Sequence, residues 1–174
     1  MTDQILSEVS GDMDPIKKLI KRIPGLGGFI KRSEYRDADK LLRDTIAEET
    51  EKHYHRISTL QQDLISQGEI TLLDDLEQSA LKLRTFADRI RRAARGYAGV
   101  FDSVKINEAE LQKVYQYDST MMDLLDETGR AIDNIEASLG TDGVPAATRH
   151  LRSTCQSLID AFNERDEVMR NLKE

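Results

Sequence analysis

Apolar residues recur along this chain at helical intervals, in one short run and four long ones. In the short run Ile16, Leu19, Ile20 and Ile23 stand at i, i+3, i+4 and i+7, with Lys17, Lys18, Lys21 and Arg22 on the other face, the pattern of an amphipathic helix. Pro24, Gly25, Gly27 and Gly28 end it and predict a flexible joint before Phe29 and Ile30. The first long run starts at Ser33, read as an N-cap, and stops at Gly68. Its stripe is Leu42, Ile46, Glu49, His53, Ile57, Leu60 and Leu64, with two polar members in the middle. The second starts near Thr71, whose spacing to Asp74 resembles a capping box, and carries Leu76, Ala80, Leu83, Ala87, Ile90 and Ala94. That alanine content predicts close packing by a neighbour.

The second run fades at Arg95, Gly96, Tyr97, Ala98 and Gly99, and the segment to Ile106 is the longest predicted loop. A third helix begins at Asn107, boxed by Glu110. Its stripe is Leu111, Val114 or Tyr115, Asp118, Met121 or Met122, Leu125, Thr128 or Gly129, Ile132 and Ile135. Gly140 to Gly143 predicts a turn, and Pro145 stands where a first helical residue belongs. The last stripe is Leu151, Cys155, Leu158, Phe162, Met169 and Leu172.

Four such helices, each about 40 to 50 Å long at 1.5 Å per residue, predict an all-α protein: an elongated antiparallel four-helix bundle or stacked helical hairpins, coiled-coil-like. Two parts follow: an arm at 1–32 with the basic amphipathic segment and its hinge, and a bundle at 33–174. Residues 1–15 read as weakly ordered. The spacings of three and four also suit self-association, so a homo-oligomer is a reasonable expectation.

Charge singles out the arm. The segment Ile16 to Arg32 carries six basic residues and no acidic one, whereas the chain as a whole is -7 and the stretches before and after the segment are acidic. An acidic surface argues against nucleic acid as a partner, because clustered Lys and Arg supply most of that affinity. Aromatics are only 5% and tryptophan is absent, which suits helices over sheets. The single cysteine, Cys155, permits no intramolecular disulfide. The first residues lack the basic start and apolar run of a signal peptide. The expectation is therefore a cytoplasmic location, peripheral at the inner face of the membrane if the arm binds lipid.

Catalytic chemistry is hard to find. Di-iron bundles need Glu-x-x-His on two helices, and the chain has none. Glu49 with His53 and Glu51 with His55 share helix faces at i, i+4, a spacing that usually serves the helix itself. Glu49 and His53 are the weak metal candidates. Cys155 lies on an apolar stripe, five residues from His150, the setting of an inert thiol. The GLGG at 25–28 is not followed by Gly-Lys-Ser/Thr, so it is no phosphate loop. A second basic cluster, Arg89, Arg91, Arg92 and Arg95, suits the negative end of a helix dipole and pairing with acidic neighbours, with the binding of an acidic partner or lipid headgroups as the alternative. No cofactor and no enzyme activity are expected.

The runs RIPGLGGFIKRSEYRDADKLLRD (Arg22 to Asp44) and RAARGYAGVFDSVKINEAELQKVYQYD (Arg92 to Asp118) resemble segments of uncharacterised bacterial helical proteins with an IPG-x-x-G-aromatic start and a GYAG-x-F-D junction. The resemblance implies only that arm and junction belong to one helical design. A looser likeness, to phage-shock and vesicle-inducing membrane scaffold proteins, rests on the amphipathic N-terminus and long helices. The leading expectation is a non-enzymatic scaffold or adaptor. Its contact with an anionic membrane or an acidic partner protein is assigned to Ile16, Lys17, Lys18, Leu19, Ile20, Lys21, Arg22, Ile23, Phe29, Lys31 and Arg32. A metal or small-ligand bundle and a purely structural oligomer are the alternatives, and an arm folded back on its own bundle competes with a docking arm.

Overall fold

The computed structural model describes residues 14–97, 101 and 107–172, without the side chains of 94–97. Most of the acidic N-terminus, most of the 98–106 junction, and the side chains of Ala94 and Arg95 lie outside the described residues. Among the described residues six helices can be bounded, in order: α1 (Pro15–Arg22), α2 (Leu26–Lys31), α3 (Tyr35–Ser66), α4 (Leu73–Tyr97), α5 (Glu108–Ser138) and α6 (Val144–Asn171). The chain is an all-α helical bundle.

The long helices form two hairpins, α3–α4 and α5–α6, laid side by side. Gln61 meets Glu77 and Arg91 meets Glu51, so α4 runs antiparallel to α3; His150 meets Glu127 and Arg165 meets Asp118, which sets α6 antiparallel to α5. Between the hairpins the directions agree. Asp75 pairs with Arg152 and Arg89 with Asn163, placing α4 parallel to α6, and Arg56 pairs with Asp133 on the parallel α3 and α5. Of the two arrangements expected from sequence, this is the stacked pair of hairpins. Around the bundle the order is α3, α4, α6, α5, with α3 and α6 on one diagonal.

The stripes account for the core. Leu42, Ile46, Ile57, Leu60 and Leu64 of α3 are buried, as are Leu76, Leu83 and Ile90 of α4, Met121, Leu125, Ile132 and Ile135 of α5, and Leu151, Cys155, Leu158 and Phe162 of α6. Phe86 joins them edge-on to Phe162, ring centroids 6.2 Å apart, a favourable aromatic geometry. Asn107 and Glu110 form the expected capping box, each side chain accepting from the other's backbone N–H at 2.9 and 3.1 Å. Gly68 ends α3 at φ +77°, and Pro145 lies in the first turn of α6.

Three local expectations are corrected. Residues 25–28 are not a flexible joint: Gly25 turns the chain at φ +88°, and Gly27 and Gly28 then lie inside α2. Packing of Leu26 into the core overrides the weak helix propensity of glycine there. Ser33 does not cap α3; the cap position is Glu34, and Ser33 itself has φ +59°. Finally, α4 starts at Leu73, two residues past Thr71, and Asp74 accepts a hydrogen bond from Gln78 instead of serving a box.

Candidate functional site

The basic arm folds back. Helix α1 packs along α5 and α2 along α3, so the arm lies over the seam where the two hairpins meet. Asp14 caps α1, its carboxylate accepting from Ile16 N–H at 3.2 Å, and Pro15 pre-sets the first turn. The apolar face then points into the bundle. Leu19, Ile23 and Leu26 are buried, and Ile16, Ile20, Phe29 and Ile30 pack half-buried against the same core.

One base locks this arrangement. Arg22 grips Asp126 of α5 through both terminal nitrogens, at 2.8 and 2.7 Å, with Asp123 at 3.7 Å. The side chains are 31% and 49% exposed, so the pair orients the arm more than it stabilises it, at about 1 kcal/mol or less for a surface pair. Arg32 stacks over Phe29 at 5.4 Å and pairs with Glu34, which raises its already high pKa. Lys17 and Lys18 are half-buried, and Lys21 and Lys31 are exposed. Lys18, Lys21 and Lys31 form no ion pair with a described residue. The seated arm therefore shows solvent a cationic ridge on an acidic body.

The second basic cluster is engaged within the bundle. Arg89 lies 5.0 Å over the Phe162 ring and bonds Asn163, Arg91 pairs with Glu51 across to α3, and Arg92 pairs with Asp88 at 3.9 Å.

Glu49 and His53 do not converge on a common point. Glu49 holds Lys52 at 2.5 Å, while His53 is directed between α3 and α5 and packed on Gly129, where a Cβ would lie 3.0 Å from its ring. Among the described residues no group of three or more His, Cys, Asp or Glu side chains is placed to hold a metal. Burial, and then Arg56, lower the His53 pKa below its ordinary value. The unfolded chain therefore takes up this proton first as pH falls, so stability present above about pH 6.5 is lost below it. Thermal melts at about pH 7 and about pH 5 check this: the drop should be smaller in His53→Gln, and equal drops contradict it.

His150 meets Glu127 at the surface, at 3.4 Å, rather than Cys155. Cys155 is fully buried, and burial pushes its thiol up to about 12, far from a working nucleophile. A depression of about 350 Å³ lies between α3 and α4 over Thr50, Leu83 and Ala87, but the Thr50 hydroxyl already donates to the Ile46 carbonyl.

The most unusual chemistry lies inside. Arg165 of α6 crosses the core to hold Asp118 of α5 through Nε at 2.6 Å and Nη2 at 3.3 Å, and Asp39 of α3 through Nη2 at 2.6 Å. Arg43 completes the set, its Nε on Asp39 at 2.7 Å. Arg165 and Asp118 are 0% exposed. Two positive and two negative charges balance, and each carboxylate is held by guanidinium hydrogen bonds, the condition for keeping ions in an interior. Complete burial raises Asp118 above the usual carboxylate range against the pull of Arg165. Burial acts to lower Arg165, but the two aspartates override it and raise it. The cluster ties α3, α5 and α6 across the diagonal.

Of its members only Asp118 stood out from the pattern of the sequence. The signal for Arg165 was a gap: between Phe162 and Met169 the stripe of α6 needs a member at 165, and it is arginine. Among the described residues no helix is long and apolar enough to cross a membrane. No family model, no curated protein and no solved structure matches the chain.

Proposed function

We propose that the protein is a non-enzymatic helical scaffold that meets an anionic surface, the face of an acidic leaflet or of an acidic partner protein, through the outer side of its seated arm. The observation that carries this reading is the division of labour within the arm. Leu19, Ile23 and Leu26 are engaged by the bundle, whereas Lys18, Lys21 and Lys31 form no ion pair with a described residue. The contact is electrostatic and reversible. With its apolar anchors occupied, the arm does not insert, and each base contributes about 1 kcal/mol on an anionic leaflet. The acidic remainder of the chain limits attachment to this ridge and sets its orientation.

Co-sedimentation with phosphatidylserine vesicles at low salt tests it. The native chain should pellet and should fail to pellet on neutral vesicles, and Lys18→Glu with Lys21→Glu and Lys31→Glu should weaken binding by about 100-fold or more. Equal pelleting of native and charge-reversed chains would sink the reading.

A further inference from the structure

Two turns in this molecule share one hydrogen-bond pattern but differ at the position that carries the strain. After α3, Gly68 N–H donates to Ile65 O at 3.1 Å and Glu69 N–H to Leu64 O at 2.9 Å, with Gly68 at φ +77°. After α2, Ser33 N–H donates to Ile30 O at 3.1 Å and Glu34 N–H to Phe29 O at 2.9 Å, with Ser33 at φ +59°. This is the helix-ending motif that normally takes glycine. Ser33 is the one non-glycine residue with positive φ among the described residues, and a side chain there is disfavoured about fivefold or more.

Nothing in the local sequence requires that turn. From Phe29 to Gln67 there is neither proline nor glycine, so one helix continuing from α2 into α3 satisfies every backbone group and relieves Ser33. What bends the chain is the seat of the arm: Leu19, Ile23 and Leu26 buried over the α3–α5 seam, and Arg22 on Asp126. A second copy offers an identical seat.

We propose that residues 32–34 are the hinge of an arm exchange between two copies of this chain. In the exchanged form α2 and α3 fuse, and the arm of each copy occupies the α3–α5 seam of the other. The buried contacts and the Arg22–Asp126 pair re-form between chains, while the strain at both Ser33 positions is released. The exchange is mutual, so it closes as a twofold dimer rather than a filament, and a short strained hinge is the arrangement that invites it. The bundles meet at the ends where α3 begins. The inference is independent of what the cationic ridge binds.

Full-length chains carrying Arg22→Cys or Asp126→Cys are mixed, unfolded, refolded together and treated with a short bis-maleimide. Cys155 is buried in both. The expected product is a covalent heterodimer, because residues 22 and 126 then face each other across two chains. Its yield should rise with Ser33→Ala, which favours the fused helix, and fall with Ser33→Gly, which removes the strain. Since two turns open per dimer, sedimentation equilibrium should show Ser33→Gly weakening dimerisation by about 25-fold. Ser33 is on the surface, so these variants fold. Absence of the heterodimer in all three chains up to millimolar concentration, or dimerisation indifferent to residue 33, overturns the proposal.

Discussion

Arg165→Met is expected to destabilise the fold by about 3 to 5 kcal/mol, read as a fall in the denaturation midpoint at unchanged slope. The reason is not the loss of an attractive contact alone. Asp118 is fully buried, and Arg165 is its hydrogen-bonded counter-ion, so removing the guanidinium strands a charge in the core or forces it to take a proton. Asp39 fares better because Arg43 remains on it. It follows that Arg165→Met with Asp118→Leu should recover most of the loss, since replacing a buried pair by apolar groups of similar size is often neutral or better. A single substitution costing under about 1 kcal/mol would contradict the assignment, as would a double substitution no better than the single. A domain with about 5 to 15 kcal/mol in hand feels the first change throughout.

Leu19→Ala should act in a different place. Leu19 is completely buried between α1 and the bundle, and truncating such a residue costs about 2 to 5 kcal/mol. The arm can leave its seat without unfolding α3 to α6, so the loss should appear as local opening. Hydrogen exchange at the Ile23 amide, which donates to the Leu19 carbonyl at 2.9 Å, should accelerate by about 30-fold or more, while amides in the middle of α5 change little. Arg22→Ala is the control: it removes a half-exposed pair and should accelerate the same amide only a few-fold. Acceleration spread evenly over all helices would mean that arm and bundle open as one unit.

The four long helices were legible because each repeats its apolar residues at three and four over about five turns or more, and a stripe of that length tolerates local misreading. Asp118 was read in its buried position, and of the alternatives Thr128 and Gly129 both are buried, whereas Glu49 on the stripe of α3 is half-exposed. Residues that owe their conformation to distant parts were not legible. Helix α2 contains two glycines and forms because Leu26 finds a core. Nothing local to Arg165 says that Asp39 of α3 and Asp118 of α5 will face it, and the i, i+4 spacing of Asp39 and Arg43 does not say that this pair is buried. The arm was read correctly as amphipathic, but periodicity alone does not choose between its own bundle and another surface as the partner of its apolar face.

The central claim is that the arm works from its seat, with its anchors inside and its bases outside. The direct measurement is binding of a locked chain to phosphatidylserine vesicles: Arg22→Cys with Asp126→Cys, purified as the monomer and joined by a bis-maleimide, against the same chain left unjoined. Both lose the same pair of opposite charges, and Lys18, Lys21 and Lys31 stay outward. Equal binding of the joined and unjoined chains, falling alike with added salt, is the predicted result. Binding that disappears when the arm is locked would contradict it, and would place Leu19, Ile23 and Leu26 in the bilayer instead.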